Sequence, residues 1–351
     1  MQGGRFWTKL ALLWRLRNTI ALFFIGASLS LAIASCGNLT AANSNRVELM
    51  LVSYAVPRAA HDAIIPKFVE QWKQQTGQEV TFVQSYGGSG TQTRAVVDGL
   101  EADITHLALA ADTKKLVQAG LINPDWEKRT PNNGTVAKTV AAIVVRPGNP
   151  KNIQTFQDLE RDGVNWVTAD PKTSGGARWN YLVLWNDALK RSNNDVEKAK
   201  QFVAQAYRNV VVSARDARES MDAFIKQGQG EALINYENEV ILARQKGAEI
   251  EYVAPDVNLS IDTPVAIVDK NVDKHGTRKV AEAFVQFLFT PEAQAEFIKL
   301  GYRPLTAKTE TTLPPVNTIA TIQDFGGWSA VQKKFFEEGG VFDQTLTASK
   351  S

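Results

Sequence analysis

Three short polar segments contain the residue types of an anion-binding site. They are Gly87-Gly88-Ser89-Gly90, Thr173-Ser174-Gly175-Gly176-Ala177 and Arg215-Asp216-Ala217-Arg218. Each segment follows an apolar run and precedes a helix-like pattern. The start of a helix exposes unpaired backbone N–H groups and the positive end of the helix dipole, so glycine and serine there let an oxyanion approach backbone donors. Together the three segments predict a site for a small anion.

The second segment is the most specific of the three. Its adjacent glycines, Gly175 and Gly176, cost about 1 kcal/mol each if they are merely helical. Close approach of the backbone to a ligand is a physical reason for that cost. In the first segment, Ser89 is expected at an N-cap or first-turn position with its hydroxyl and its N–H both available. A capped helix after a flexible loop also explains that segment.

The two arginines of the third segment leave alternatives open. Arg215 and Arg218 have the charge to bind an anion directly, or to act from behind the groups that touch it. A solvent-exposed or salt-bridged loop explains either arginine as well.

Ser89 also raises the alternative of an exported serine hydrolase. Gly87-Gly88-Ser89-Gly90-Thr91 departs from the G-x-S-x-G nucleophile motif at its last position. His61, His106 and His275 are isolated in the sequence and are expected to be surface or structural residues, not the base of a triad. No close spacing of His, Cys and Asp suggests zinc, and no Gly-Lys-Ser/Thr ending marks a nucleotide-binding loop. We therefore expect no enzyme, no metal and no cofactor.

Residues 1–35 differ in composition from the rest and predict a signal peptide, since four basic residues precede an uncharged apolar stretch, 18–35. Ile33-Ala34-Ser35-Cys36 resembles the bacterial lipobox, whose cysteine is lipidated and begins the mature protein. Retention as a transmembrane anchor, which needs roughly 17 to 25 residues, is an alternative. Cleavage without lipidation near Ala41-Ala42 is another. All three predict export of the remaining chain to the periplasmic side.

Composition narrows the class of protein and its partners. The 351 residues are enough for two domains with a core each. Without the four basic residues before Cys36, the net charge falls from +2 to −2. Nucleic acid is therefore not an expected partner, and membrane contact is expected only through the Cys36 lipid. Cys36 is the only cysteine, so large cores must stabilise the exported domains in place of an internal disulfide.

Apolar runs of strand length alternate with longer amphipathic stretches, which is typical of α/β proteins. Most of the runs are continuous, as in buried parallel strands. A long helix is expected to start near Ser174 with its tryptophans in the core, Pro66 predicts a helix start or kink, and Thr290-Pro291 predicts another helix start. The predicted strands are 47–52, 80–83, 104–109, 140–145, 164–168, 210–212, 232–234, 250–253 and 265–268.

Several segments resemble the bacterial sulfate-binding proteins of ABC importers, over nearly the whole mature chain. The most specific segment is PKTSGGARWNY, from Pro171 to Tyr181; the others are QSYGGSG, GLEAD, RPGNPKNI, YENE and FGGW. The resemblance implies the type II periplasmic binding protein fold, with two α/β lobes joined by two hinge crossings. Each lobe would be a mostly parallel sheet flanked by helices. The expected division is a signal peptide 1–35, a linker 36–46, lobe I 47–129 with 256–351, and lobe II 130–255.

The resemblance also implies a sulfate ion buried between the lobes and held by neutral donors. Matched position by position, these donors are Ser89, Ser174, Gly175, Gly176 and Ala217. The sixth donor of the family is a tryptophan before Glu-Asn-Glu, and this chain has Tyr236 there, whose phenol can donate or accept. A second departure is Tyr54-Ala55, where relatives commonly have Tyr-Asp.

Selectivity follows from the same donors. Sulfate is fully ionised and needs donors only, whereas hydrogen phosphate carries a proton that needs an acceptor. The expected ligating positions hold no carboxylate, and Asp216 is expected to point outward. Thiosulfate, molybdate and phosphate are the alternative ligands. The implied mechanism is capture outside the cytoplasmic membrane, closure of the lobes, and delivery by a monomer to a membrane permease with its cytoplasmic ATPase subunit.

Overall fold

A computed structural model describes residues 45–306 and 311–350. The predicted signal peptide and Cys36 lie outside the described residues. The strands are β1 Arg46–Tyr54, β2 Glu79–Gly87, β3 Ile104–His106, β4 Thr135–Thr139, β5 Ala141–Val145, β6 Trp166–Ala169, β7 Val210–Ala214, β8 Ala232–Tyr236, β9 Glu251–Val253, β10 Val257–Leu259, β11 Ile261–Ile267 and β12 Thr318–Ala320. The α-helices are α1 Arg58–Thr76, α2 Ser89–Val97, α3 Ala110–Gln118, α4 Gly175–Arg191, α5 Val196–Arg208, α6 Ala217–Ile225, α7 Glu237–Gln245, α8 Asp269–His275, α9 Arg278–Phe287, α10 Pro291–Lys299, α11 Gly327–Val331 and α12 Val341–Ala348.

Two five-stranded sheets organise these elements. Their strand orders are β2-β1-β3-β11-β4 and β7-β6-β8-β5-β9. In the first sheet β1 and β3 are parallel, and β11 runs against both β3 and β4. In the second sheet β6 is parallel to β7 and β8, and β5 runs against both β8 and β9. This confirms mostly parallel sheets flanked by helices, with a reversed strand in each. We call the first sheet with its helices lobe I and the second lobe II.

Each of the nine predicted strands corresponds to an observed strand, while β4, β10 and β12 were not predicted. Strands β10 and β12 have only three residues each, which is too few to show the alternation of apolar and polar residues that is typical of a strand. Ser174 caps the long helix α4 as expected, and Thr290 caps α10, which begins at Pro291. A helix start at Pro66 is wrong, because α1 begins at Arg58 and Pro66 lies inside it.

The chain passes from lobe II to lobe I between β9 and β11, which includes the expected boundary at 255/256, but its other passages lie elsewhere than expected. Val140 separates β4 of lobe I from β5 of lobe II, because β4 pairs with β11. The predicted boundary at residue 130 is therefore about ten residues too early. The predicted assignment of 256–351 to lobe I is also wrong at its end, since α12 packs on α5 and Thr345 is hydrogen-bonded to Tyr181 of α4 at 2.8 Å. Arg303 forms a β-bridge with Lys138 of β4 in lobe I. The chain thus crosses to lobe II once more after this residue.

Each lobe has its own apolar core. Buried side chains in lobe I include Val52, Leu107, Leu116, Trp126 and Val268. Those in lobe II include Val144, Val167, Phe224, Leu233 and Val240. Trp179 and Trp185 of α4 are fully buried, which confirms that the tryptophans of this helix belong to the core.

A small compact unit comprises the ends of three elements, residues 45–47 and 72–80 among those described. Asn45 Nδ2 donates to the Gly77 carbonyl at 2.7 Å, and Trp72 Nε1 donates to Gln78 Oε1 at 3.0 Å. Gly77 follows the end of α1 with a φ of 74°, a left-handed conformation that favours glycine.

Within the part of the chain that is described, we find no helix with the length and apolarity needed to cross a membrane.

Candidate anion-binding site

Four helices, α2, α4, α6 and α7, begin at one small cavity. They follow β2, β6, β7 and β8, so the cavity lies beyond the carboxyl ends of strands, where open α/β sheets bind ligands. The three polar segments predicted from the sequence are thus brought together. The lining residues are Tyr54, Ala55, Val56, Gly87, Gly88, Ser89 and Ala108 from lobe I and Ser174, Gly175, Gly176, Asp216, Ala217 and Tyr236 from lobe II.

The helix starts supply backbone donors to this cavity. First-turn N–H groups have no acceptor within their own helix. Within the described residues, four of these N–H groups donate to no protein acceptor: those of Ser89, Gly175, Gly176 and Ala217. Each hydrogen bond to a charged ligand contributes about 1.5 to 3 kcal/mol. One helix dipole contributes only about 0.3 to 2 kcal/mol, so the converging N–H groups are the stronger part of the site.

Ser174 adds a hydroxyl to these amides. It is the N-cap of α4, and its Oγ accepts a hydrogen bond from the Ala177 N–H at 3.3 Å. The side chain is buried at the cavity wall. Since Oγ acts here as an acceptor, its hydrogen remains available to a ligand.

The hydroxyl of Ser89, in contrast, is already committed. Ser89 Oγ donates to Asp112 Oδ2 at 2.8 Å and accepts from the Ala108 N–H at 3.1 Å. The expectation that the Ser89 hydroxyl and N–H are both available is therefore wrong for the hydroxyl. Only the N–H of Ser89 remains for an anion.

Tyr236 directs an unpartnered hydroxyl at the start of α4. Its side chain is buried, and Oη has no hydrogen-bond partner in the described chain. A Cβ on Gly176 would lie 2.9 Å from Oη, which places the hydroxyl beside the first turn of that helix. Burial raises the pKa of the Tyr236 hydroxyl well above its ordinary value, with further contributions from Tyr54 and Glu239. The hydroxyl therefore stays protonated and is a donor.

The glycines of the first two segments allow the two lobes to touch. A Cβ on Gly88 would come within 2.6 Å of the Thr173 carbonyl oxygen. A Cβ on Gly175 would come within 2.8 Å of Ala108 Cβ and of Leu109 Cδ2. The Gly90 N–H donates across the same junction to the Thr173 carbonyl at 3.0 Å. Close approach to the opposite lobe is thus a second physical reason for glycine at these positions, besides close approach to a ligand.

A buried ion pair lies behind the cavity. Arg178 Nη1 is 3.2 Å from Asp112 Oδ1, and both side chains are almost completely buried. Arg178 Nε also donates to the Pro171 carbonyl at 2.9 Å. Asp112 therefore connects Ser89 of lobe I to α4 of lobe II. Neither Asp112 nor Arg178 lines the cavity.

Both arginines of the third segment are salt-bridged, which is one of the alternatives left open for them. Arg215 is largely exposed and pairs with Glu219 at 3.0 Å. Arg218 pairs with buried Glu239 at 2.8 Å, and its Nη2 also donates to the Val56 carbonyl at 3.4 Å. Burial raises the pKa of the Glu239 carboxyl to about 7 although Arg218 lowers it. Neither arginine lines the cavity.

Asp216 is the one carboxylate residue among the lining residues of this described cavity. Its Oδ1 accepts from the N–H groups of Arg218 and Glu219 at 2.9 and 3.0 Å, as the N-cap of α6. That oxygen is therefore committed to its own helix.

Among the described residues we find no group of three or more His, Cys, Asp or Glu that could hold a metal ion.

Comparison with known proteins shows the family of this chain. Residues 49–303 match the family model described as bacterial extracellular solute-binding protein. The chain belongs to this family. A sulfate-binding protein of Synechococcus elongatus is 51% identical to it over 344 residues, covering 95% of this chain and 98% of that protein. A sulfate-binding protein of Escherichia coli K12 is 41% identical over 311 residues, covering 87% of this chain and 94% of that protein.

A solved structure agrees with this assignment. A sulfate-binding protein from Mycobacterium tuberculosis H37Rv superimposes with a TM-score of 0.76 at 33% identity, covering 83% of this chain and all of that one. These matches confirm the resemblance that the sequence motifs indicated, and they confirm the type II periplasmic binding protein fold. The relatives are named as binding proteins.

Sequence reasoning missed the buried groups around the cavity. Asp112 lies 23 residues from Ser89 and belongs to no motif, so no local signal connects the two. The expectation that the histidines are isolated is also wrong in space, because His61 and His106 are hydrogen-bonded at 3.0 Å and His275 pairs with Asp103 at 2.9 Å. His61 and His106 are fully buried, and His275 is partly exposed in its ion pair. Only the fold brings such distant residues together.

Proposed function

We propose that this protein is a periplasmic receptor that binds sulfate in the cavity between lobes I and II and delivers it to an ABC importer. The observation that carries the proposal is the convergence of four helix starts whose donors have no protein acceptor. The direct donors are the N–H groups of Ser89, Gly175, Gly176 and Ala217 and the hydroxyls of Ser174 and Tyr236. The relatives named as sulfate-binding proteins support the choice of ion.

Neutral donors suffice for a dianion because several act together. An unpaired buried charge costs far more than one helix dipole returns. Six hydrogen bonds of about 1.5 to 3 kcal/mol each reach about 9 to 18 kcal/mol, which is the scale required. The arginines in the first turns of α4 and α6 are already paired, Arg178 with Asp112 and Arg218 with Glu239. No cationic side chain lines the described cavity, so the ion is held without a direct counter-ion.

The same donors favour sulfate over hydrogen phosphate. The phosphate proton would face an N–H group or the Tyr236 hydroxyl, whose own hydrogen has no other acceptor. Unpaired buried polar groups cost about 1 to 3 kcal/mol each. Asp216 is the one carboxylate residue in the described lining, and its Oδ1 already accepts two N–H groups of α6. We therefore expect discrimination of at least tenfold.

Competition calorimetry on the mature protein tests this proposal. Sulfate should bind with one ion per chain, and an equimolar amount of phosphate should displace little of it. Thiosulfate and molybdate, the other tetrahedral oxyanions, are titrated in parallel. Tighter binding of either would keep the receptor function but change its ligand, whereas absence of binding for all four anions would reject the site.

Closure of the lobes should accompany binding. Contacts such as Gly90 N–H to Thr173 O and Trp179 Nε1 to Ala108 O, at 3.0 and 2.9 Å, join the lobes around the cavity. They form only when the lobes are closed, so the ligand shifts the population towards this form. Small-angle scattering should show compaction when sulfate is added. Identical profiles with and without sulfate would argue against hinge closure.

The partners are a membrane permease and its cytoplasmic ATPase subunit, and the receptor itself is a monomer without enzymatic activity. In reconstituted importer vesicles, sulfate-loaded protein should stimulate ATP hydrolysis. Lipidation of Cys36, which lies outside the described residues, would hold the receptor at the membrane. Labelling with radioactive palmitate should be lost in Cys36→Ser, and equal labelling of both proteins would reject this anchor.

A further inference from the structure

The donors of lobe II lie on separate elements of the fold. Gly175 and Gly176 lie in the first turn of α4. Ala217 begins α6, and Tyr236 ends β8. Because these residues are distant in sequence, no local backbone geometry fixes the separation of their donor groups. An anion of a given size needs its donors at a given separation, so contacts between the elements must set it.

The buried side chain of Asn235 makes such a contact. Its Oδ1 accepts a hydrogen bond from the Tyr236 N–H at 2.8 Å, and its Nδ2 donates to the Ala217 carbonyl at 2.8 Å. A backbone N–H only donates and a carbonyl only accepts, so these two partners fix the orientation of the amide. The amide group is planar and rigid. Asn235 therefore links two of the proposed donor residues through a single rigid group.

The position of Asn235 in β8 shows that the amide has a specific use. Successive side chains of a strand point to opposite faces of the sheet, so Asn235 shares a face with Leu233. Leu233 packs in the core of lobe II with Met221 and Phe224 of α6. The whole of β8 is buried, and an amide buried without partners is unfavourable. Asn235 does not line the cavity, so it acts on the anion only through Ala217 and Tyr236.

A second buried amide attaches α4 to the same strand. Asn180 Nδ2 donates to the Ile234 carbonyl at 3.0 Å and to Thr168 Oγ1 of β6 at 3.3 Å. Ile234 immediately precedes Asn235. The starts of α4 and α6 and the end of β8 are thus tied together within lobe II. The lobe II donors are therefore arranged before lobe I closes, which lowers the ordering cost of binding.

We propose that Asn235 is a positioning residue that sets the size selectivity of the anion site. Its amide holds the Ala217 N–H and the Tyr236 hydroxyl at a separation that fits sulfate and is too short for molybdate. The inference rests on the proposed anion receptor function. Sulfate and molybdate are both tetrahedral dianions, but molybdate has the longer metal–oxygen bonds, so size distinguishes them. Without the amide, α6 and the end of β8 move apart, and sulfate loses one of the two donors while a larger ion reaches both.

Calorimetry with sulfate and with molybdate tests this role on the native protein and on Asn235→Leu, in mildly alkaline buffer where both ions are dianions. Leucine has nearly the shape of asparagine but makes neither hydrogen bond. We expect sulfate affinity to fall about tenfold and molybdate affinity to fall less than about threefold. The ratio of the two affinities therefore decreases. A loss of stability alone would weaken the binding of both ions equally. Asn235→Ala, which adds no volume, replaces the leucine variant if that variant does not fold.

Asn271→Leu is the matched control. Asn271 of lobe I is also a buried asparagine, and its Nδ2 donates to the Ala102 carbonyl at 2.7 Å. It does not line the cavity. This variant should lower the unfolding temperature and leave the ratio of sulfate to molybdate affinity unchanged.

A double-mutant cycle with Tyr236→Phe shows whether Asn235 acts through the tyrosine hydroxyl. When that hydroxyl is absent, Asn235→Leu should change the affinity ratio by less than about twofold. Equal losses of sulfate and molybdate affinity in Asn235→Leu, or additive effects in the cycle, would overturn the positioning role. Failure of both Asn235 variants to fold would overturn it as well, since the amide would then be structural. A native protein that binds neither ion would instead reject the receptor function.

Discussion

The two lobes contribute to the cavity in unequal ways. Lobe II supplies the starts of α4, α6 and α7 and two hydroxyls, Ser174 and Tyr236, that have no competing acceptor. Lobe I supplies the start of α2, and the hydroxyl of Ser89 is held by Asp112. The difference suggests a division of labour in which lobe II binds the anion and lobe I closes over it. Four substitutions test this division.

Gly88→Ala should have the largest effect, because it acts on closure. The new Cβ would come within 2.6 Å of the Thr173 carbonyl and 2.9 Å of the Arg215 carbonyl, both backbone atoms of lobe II. Without closure the lobe I donor and the exclusion of water are lost. We expect sulfate affinity to fall roughly a hundredfold or more in calorimetry, about 2.7 kcal/mol.

The control for that variant is its neighbour. A Cβ on Gly87 meets only the flexible side chain of Gln92, at 3.2 Å. Gly87→Ala should therefore bind sulfate almost as the native protein does. Similar losses in both variants would show that loop flexibility, and not contact between the lobes, is what these glycines supply.

Ser174→Ala should have the next largest effect, since it removes a lobe II donor. The loss of a hydrogen bond to a charged group is about 1.5 to 3 kcal/mol, and loss of the N-cap of α4 adds about 1 kcal/mol to the cost in stability. Affinity should fall about 10- to 150-fold, with a small decrease in the unfolding temperature. Native affinity in this variant would remove Ser174 from the proposed donors.

Tyr236→Phe should weaken sulfate binding about tenfold, the lower limit for a lost hydrogen bond to a charged ligand. The phenyl ring keeps the packing against Tyr54, and no protein acceptor of the described chain loses a donor. The unfolding temperature without sulfate should therefore not decrease. Measured by calorimetry and thermal unfolding, unchanged affinity would exclude the hydroxyl from the site.

Ser89→Ala should have the smallest effect on affinity and a clear effect on stability. The variant keeps the Ser89 N–H but leaves Asp112 Oδ2 and the Ala108 N–H without their partner. An unsatisfied buried group costs about 1 to 3 kcal/mol, measurable by urea unfolding. A loss of affinity equal to that of Ser174→Ala would contradict the difference between the two lobes.

The anion site illustrates how far the sequence alone can go. Three polar segments at predicted helix starts pointed to an anion site, because a helix N-terminus is a local feature with a known donor geometry. The resemblance then assigned the donors to Ser89, Ser174, Gly175, Gly176, Ala217 and Tyr236. The cavity in the structure is lined by all six residues. Their direct contact with sulfate stays a prediction.

The local sequence pattern did not show which residue is the hydrogen-bond or ion-pair partner of each polar group. The Ser89 hydroxyl was expected to be available, but it donates to Asp112; Arg218 was left as either a ligand or a salt-bridged residue, and it pairs with Glu239. The lobe boundary was misplaced for the same reason, since β4 is assigned to lobe I only through its pairing with β11.

The sequence by itself determined the α/β alternation, the helix starts and the family, because periodicity, capping residues and contiguous motifs are properties of neighbouring residues. The tertiary structure alone decided which donors remain free and which charges are neutralised. It also decided that His61 and His106 share a hydrogen bond across 45 residues. Such pairings depend on sheet register and packing between distant segments, and no local signal in one sequence specifies them.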